Sequence, residues 1–233
     1  YTRYTSRHSY ESGNPNLRPT DSYHLEWDAQ YSWLSFSAEY LYNKNASAYM
    51  VKPFQEDADI ALMYYENVDK IQNLKFYLGA TPVIGPWHMD YTVGLLNQFF
   101  DAKKYGCDYN ANRPSLYLDF DNTLILPQNW TIRLEYSYQS RNYSELGVQN
   151  AWSSLDLSLA KSFLQKRLVV RLETNDLLLG QNESWQHKGA YCHFKRTDID
   201  NTRSFGINIT YNFNATKSKY KGTGAGNAEK SRL

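Results

Sequence analysis

Apolar and polar residues alternate one for one along most of this chain, and that period of two decides what it can fold into. The last run shows it best. Phe205, Ile207, Ile209, Tyr211 and Phe213 alternate with Gly206, Asn208, Thr210 and Asn212. Successive side chains of a strand point to opposite faces, so such a run makes a strand with one apolar and one polar face. At 130–138, Trp130, Ile132, Leu134, Tyr136 and Tyr138 alternate with Thr131, Arg133, Glu135 and Ser137. The pattern returns at 74–80, 87–95, 116–120, 154–159 and 168–172, and less cleanly at 22–31 and 33–43. Helical periodicity is scarce. These nine segments read as strands of roughly ten residues, the length that crosses a bilayer at barrel tilt.

Composition fits that reading without deciding it. The 233 residues include 21 Tyr, 6 Trp and 10 Phe, and the formal charge of +1 gives no bias toward nucleic acid. The mean hydropathy is -0.67, and no stretch approaches the ~18 apolar residues of a spanning helix. A transmembrane barrel has this profile because only alternate residues face lipid. An aromatic-rich soluble β-protein has it too. The chain opens on Tyr1-Thr2-Arg3-Tyr4, not on the basic start and apolar core of an export signal. An outer-membrane reading therefore expects a processed or truncated chain.

Connections alternate in length. Ile84-Gly85-Pro86, Pro127-Gln128 and Gln165-Lys166 mark tight turns, whereas 98–113, 140–150 and 175–201 are long and polar. In outer-membrane barrels short turns are periplasmic and long loops lie outside. The first and ninth strands then both run inward. Nine strands that start outside cannot close antiparallel, and open edges do not stand in lipid. Residues 1–213 are thus expected to be an antiparallel transmembrane β-barrel segment of something larger. Residues 214–233, with Lys217, Lys219, Lys221, Lys230 and Arg232 among glycines, read as a basic, flexible, periplasmic tail.

Several motifs resemble TonB-dependent receptors. Gly13-Asn14-Pro15-Asn16-Leu17-Arg18-Pro19 is similar to the G-N-P-x-L-x-P loop before a late barrel strand, although Thr20 stands where a glutamate is usual. Leu172-Glu173-Thr174-Asn175-Asp176 resembles the second-to-last strand with its N-D corner. Thr202-Arg203 leading into 204–213 resembles the closing strand, and the tail 219–230 is similar to those of the Bacteroidota outer-membrane β-barrel family. The resemblance implies a parent barrel of about 22 strands around a plug, of which this chain supplies the last part. It also implies an N-terminal box that meets a TonB-type energy-transducing complex. Phe213 is followed by further residues, so the aromatic assembly signal is expected to be internal.

Candidate functional residues follow from face and loop. Lys75, Asp90, Asp119, Asp121, Arg133, Glu135, Asp156, Arg171 and Glu173 are expected to line the lumen and meet the plug. Asp119 and Asp121 also match the D-x-D-x-T signature of haloacid-dehalogenase-type phosphatases within Leu118–Leu124. That chemistry needs a buried parallel strand followed by a helix, a pattern lacking around this motif, so they read as lumen residues. Tyr105, Tyr109, Tyr143, Trp185 and Tyr191 are candidate ligand contacts in the outer loops. Cys107 and Cys192 both fall in those loops, where an oxidising setting permits a disulfide. His187, Cys192 and His193 have a spacing that could hold metal, but a polar loop is the commoner reading, and no metal or cofactor is expected. The function expected is nutrient uptake by an outer-membrane receptor, not catalysis. Its partners would be lipid, the plug and earlier strands, the TonB-type complex and a surface lipoprotein cap. A non-transporting barrel or adhesin and a soluble carbohydrate-binding β-domain are the alternatives.

Overall fold

The computed structural model describes residues 2–55, 57–145, 147–188 and 193–213. The strands are β1 (Thr2–Ser6), β2 (Ser9–Ser12), β3 (Asp21–Tyr31), β4 (Leu34–Phe54), β5 (Asp57–Ala80), β6 (Val83–Ile84), β7 (Trp87–Phe99) and β8 (Ser115–Leu126). They continue as β9 (Trp130–Gln139), β10 (Asn142–Ser144), β11 (Gly147–Gln149), β12 (Trp152–Phe163), β13 (Leu168–Asn175), β14 (Glu183–Lys188), β15 (His193–Asp198) and β16 (Ser204–Tyr211). Helix is limited to two short 3-10 turns among the described residues.

One antiparallel wall runs β3-β4-β5-β7-β8-β9-β12-β13-β16, each strand paired with its neighbour in sequence order. Each alternating segment read from the sequence lies in or overlaps one of these strands. The sheet does not close. Among the described residues β3 pairs with β4 alone and β16 with β13 alone.

Register keeps the apolar set on one face. Leu78, Val93, Leu118 and Tyr138 form one cross-strand row, and Leu124, Ile132, Leu159, Leu172 and Ile207 another. A slip of one residue would move a strand's whole apolar set to the other face. Asn122 interrupts this face, and its Oδ1 accepts from the Trp87 indole (3.1 Å) and the Tyr91 hydroxyl, so it is not left unsatisfied. Trp87, Trp130, Phe163 and Tyr211 lie near the short-turn end. Lys161 sits 4.8 Å over the Trp130 ring and reaches back to the Gln128 carbonyl, an amphipathic side chain laying its stem on apolar surface.

On the opposite face Gly94 stands between Tyr77 and Tyr117. A Cβ there would come within 2.8 Å of the Tyr77 ring. Its absence lets the two rings meet edge to face at 6.4 Å.

The turns at one end are short. Ser32, Gln128, Asn129, Leu164, Gln165 and Lys166 all take positive φ there, as does Gly85. At the other end the chain builds a second layer. β4 and β5 have 21 and 24 residues, so β5 runs about 80 Å, well beyond a hydrocarbon core of about 30 Å. The far half of β5 takes β2 as a parallel partner on its edge, with β1 beside it. β10, β11, β14 and β15 form a separate four-stranded sheet. The buried core lies in this layer, not in the wall: Ala46, Ala48, Met50, Val68, Ile71, Phe100, Ala102, Cys107, Tyr109 and Ala111, with Tyr64, Tyr105 and Val148 against it. The loop 13–19 is stitched to it. Asn67 accepts from the Arg18 amide (2.7 Å) and donates to the Arg18 and Asn45 carbonyls, while Asn14 donates to the Tyr65 carbonyl.

Candidate functional site

The nine residues expected in the lumen all fall on the polar face, in β5, β7, β8, β9, β12 and β13. Asp90, Asp121, Glu135 and Asp156 stand directly opposite one another in a row across four strands. Like charges so placed repel, and Arg133 offsets them. Its Nε lies 2.8 Å from Asp121 Oδ2 and 2.7 Å from Glu135 Oε1. Asp119 accepts from Ser137 Oγ at 2.7 Å. Lys75 pairs with Glu39 at 3.0 Å, and His24 approaches the same carboxylate. Arg171 and Glu173 continue the face on β13. The D-x-D-x-T match thus sits inside an antiparallel strand, flanked by β7 and β9.

Asp156 ties the wall to the corner after β13. Its Oδ1 accepts the Asp176 amide at 2.7 Å and the Ser154 hydroxyl at 3.0 Å. Asp176 is fully buried. Its own carboxylate accepts the Gly180 and Gln181 amides at 2.9 and 3.2 Å, and the Thr202 hydroxyl. Burial pushes the Asp176 carboxyl up, but these donors outweigh it and hold it below the usual carboxylate range.

The candidate loop aromatics are not gathered in one place. Tyr105 stacks on Phe100 with centroids 5.4 Å apart, and its hydroxyl accepts the Asp69 amide at 2.9 Å. It lines a cleft of about 400 Å³ with Lys104 and Asp69. Trp185 lines another, of about 410 Å³, with Tyr49, Met63 and Arg196. Tyr143 and Tyr109 share a third, of about 270 Å³, with Arg113, Arg141, Asn150 and Gln186. Tyr109 is buried within the layer core, donates to the Glu145 carbonyl at 2.7 Å and meets His187 edge to face. Burial, with Cys107 and Glu145 nearby, pushes its phenol well above the usual range.

Cys107 is also buried, with Sγ 3.9 Å from His187 Nε2. Tyr191 and Cys192 lie outside the described residues, and with Cys192 goes the disulfide expectation. No group of three metal-ligating side chains converges among the described residues. Arg113 and Arg141 carry no motif in the sequence. A signal for them exists in the β8–β9 register, where Tyr117 faces Gln139. Continued outward, it sets Arg113 opposite Tyr143.

The Asp176 corner has a pH dependence of known sign. A carboxyl held below its unfolded value stabilises in its ionised form. That contribution is present above the unfolded value of ~3.9 and is lost as pH falls through the lower folded value. The Gly180 and Gln181 amides should therefore show high protection, measured against the unprotected exchange rate at each pH, at neutral pH, and that protection should fall below about pH 4. Asp176→Asn should speed their exchange at neutral pH, by about 1–3 kcal/mol of local opening. Exchange rates in the variant equal to those of the wild type would contradict this.

The model of the outer membrane protein beta-barrel family matches residues 1–211. No curated protein matches the sequence. Among solved structures the chain is similar to the FrpB iron transporter from Neisseria meningitidis (F3-3 variant), at 15% identity and a TM-score of 0.47, over 88% of this chain and 33% of that one. The chain thus spans about a third of the length of that transporter. With nearly all of its length matched by the family's model, the chain belongs to the outer membrane protein β-barrel family.

Proposed function

We propose that this chain is the C-terminal part of an outer-membrane TonB-dependent-type receptor that imports a scarce nutrient and catalyses no reaction. One observation carries the reading: a wall apolar on one face and charged on the other, with both edge strands, β3 and β16, paired on one side only among the described residues. In lipid an unpaired edge is costly, so earlier strands of the same parent would complete it. The apolar face would meet lipid. The charged face, with the row from Asp90 to Asp156, would meet water and a plug.

The short turns then lie in the periplasm with the tail 214–233, and the second layer stands outside the cell. Ligand would be captured by that layer and released inward by energy-coupled movement of the plug. The TonB-type complex would act through the parent's N-terminus, and a surface lipoprotein would cap the outer face. Membership in an outer-membrane family speaks against the soluble carbohydrate-binding alternative. A non-transporting barrel or adhesin would lack the plug.

Two measurements test the proposal. The native protein in isolated outer membranes, detected with an antibody to 217–233, should be several-fold heavier than 27.2 kDa, whereas a band at that mass would refute the larger parent. Leu157 lies on the apolar face and Ser158 on the polar one. In refolding titrations into bilayers, Leu157→Arg should cost about 2–4 kcal/mol and Ser158→Arg far less. Equal costs would sink the lipid-facing assignment.

A further inference from the structure

The cleft above β8 and β9 contains a cationic pair that its surroundings do not neutralise. Arg113 and Arg141 are both exposed and both line it. Neither takes part in an ion pair among the described residues. The Arg113 guanidinium lies 5.3 Å over the Tyr143 ring, and its Nη1 donates to the Tyr143 hydroxyl at 3.4 Å. Burial pushes the Tyr143 phenol up, but Arg113 and Arg141 outweigh it and hold it below the usual tyrosine range. Both arginines line the same cleft. Asp108 is the cleft's acidic residue, so its lining carries a surplus of one positive charge. Asn150 and Gln186 add neutral side-chain donors and acceptors.

The cleft is held in shape from beneath. Tyr109 is tied to the Glu145 carbonyl, the Arg113 amide donates to the Ala111 carbonyl at 2.8 Å, and the Asn150 amide to the Ser184 carbonyl at 2.8 Å. Tyr143 pairs with Val148, and Val148 with Gln186, across β10, β11 and β14. Gly147 makes that approach possible: its φ is +127°, and a Cβ would meet the Gln186 carbonyl oxygen at 2.2 Å. Two guanidinium forks on a hydrogen-bonded floor beside an aromatic ring suit a planar or tetrahedral oxyanion, which they can bind bidentately.

We propose that this cleft binds the carboxylate or phosphate group of a small anionic solute. A volume of about 270 Å³ admits a small polyanion whole, or the acidic end of a larger ligand. The orientation toward the cell exterior rests on the receptor reading. The binding itself does not.

The test is calorimetric titration of the intact protein in detergent with citrate and, separately, with inorganic phosphate. Wild type should bind at least one of them. Arg113→Gln with Arg141→Gln should weaken that binding about tenfold or more, because a charged hydrogen-bond pair is lost at each site. Arg113→Lys with Arg141→Lys keeps the charge but loses the fork, and should fall between. Arg167→Gln, in the short turn before β13, should bind as wild type does. If the glutamine pair fails to fold, judged by far-ultraviolet circular dichroism, the lysine pair decides. Absence of binding to either anion, or equal binding by wild type and the arginine variants, would overturn the proposal. Binding of lipopolysaccharide alone would overturn the solute and point to a lipid headgroup. These outcomes concern the cleft alone, whereas a native mass equal to that of this chain would overturn the receptor.

Discussion

A strand in lipid must place every backbone N–H and C=O on a neighbouring strand, because no water is there to accept them. The rest of this architecture depends on that pairing. It fixes the register, and the register fixes which side chains share a face. Leu157 stands beside Leu134 because Asp156 stands beside Glu135. The apolar face and the row of carboxylates are two consequences of one ladder. The carboxylates are tolerable there because Arg133 lies between Asp121 and Glu135.

The wall needs no core of its own. A sheet one layer thick buries little of its surface against itself. The packed interior lies instead where the chain leaves the wall. The long hairpin of β4 and β5, the segment 100–114 and the four-stranded sheet enclose it. That packed layer also frames the clefts lined by Tyr105, Tyr143 and Trp185. The Asp176 corner joins layer to wall through Asp156, so a residue on the polar face also anchors the loop that follows β13.

The wall was legible in the sequence because a period of two recurs along it, most cleanly at 74–80, 87–95, 130–138 and 205–213. The 130–138 and 205–213 runs, nine residues each, show it most plainly. The second layer was not legible. β10 and β11 have three residues each, too few for a period to show. Their partner β14 lies far along the chain, with Val148 facing Gln186. The buried set there mixes alanines with Cys107, Tyr109 and His187, residue types that give no apolar stripe. β4 and β5 carry their pairing past the point where alternation fades, around Asn45 with its positive φ. The candidate tyrosines were chosen for type and loop position. Neither property separates Tyr109, which is buried in the layer core, from Tyr143, which is half-buried beside Arg113.

The central claim is that the wall spans a membrane with its apolar face in lipid. Spin labels at single cysteines from 153 to 160 in β12, in a background lacking Cys107 and Cys192, test it most directly. In reconstituted bilayers the labels at 155, 157 and 159 should collide with lipid-soluble oxygen, and those at 154, 156 and 158 with a water-soluble nickel chelate. Accessibility to the two reagents that rises and falls together along the strand, with no period of two, would contradict the account.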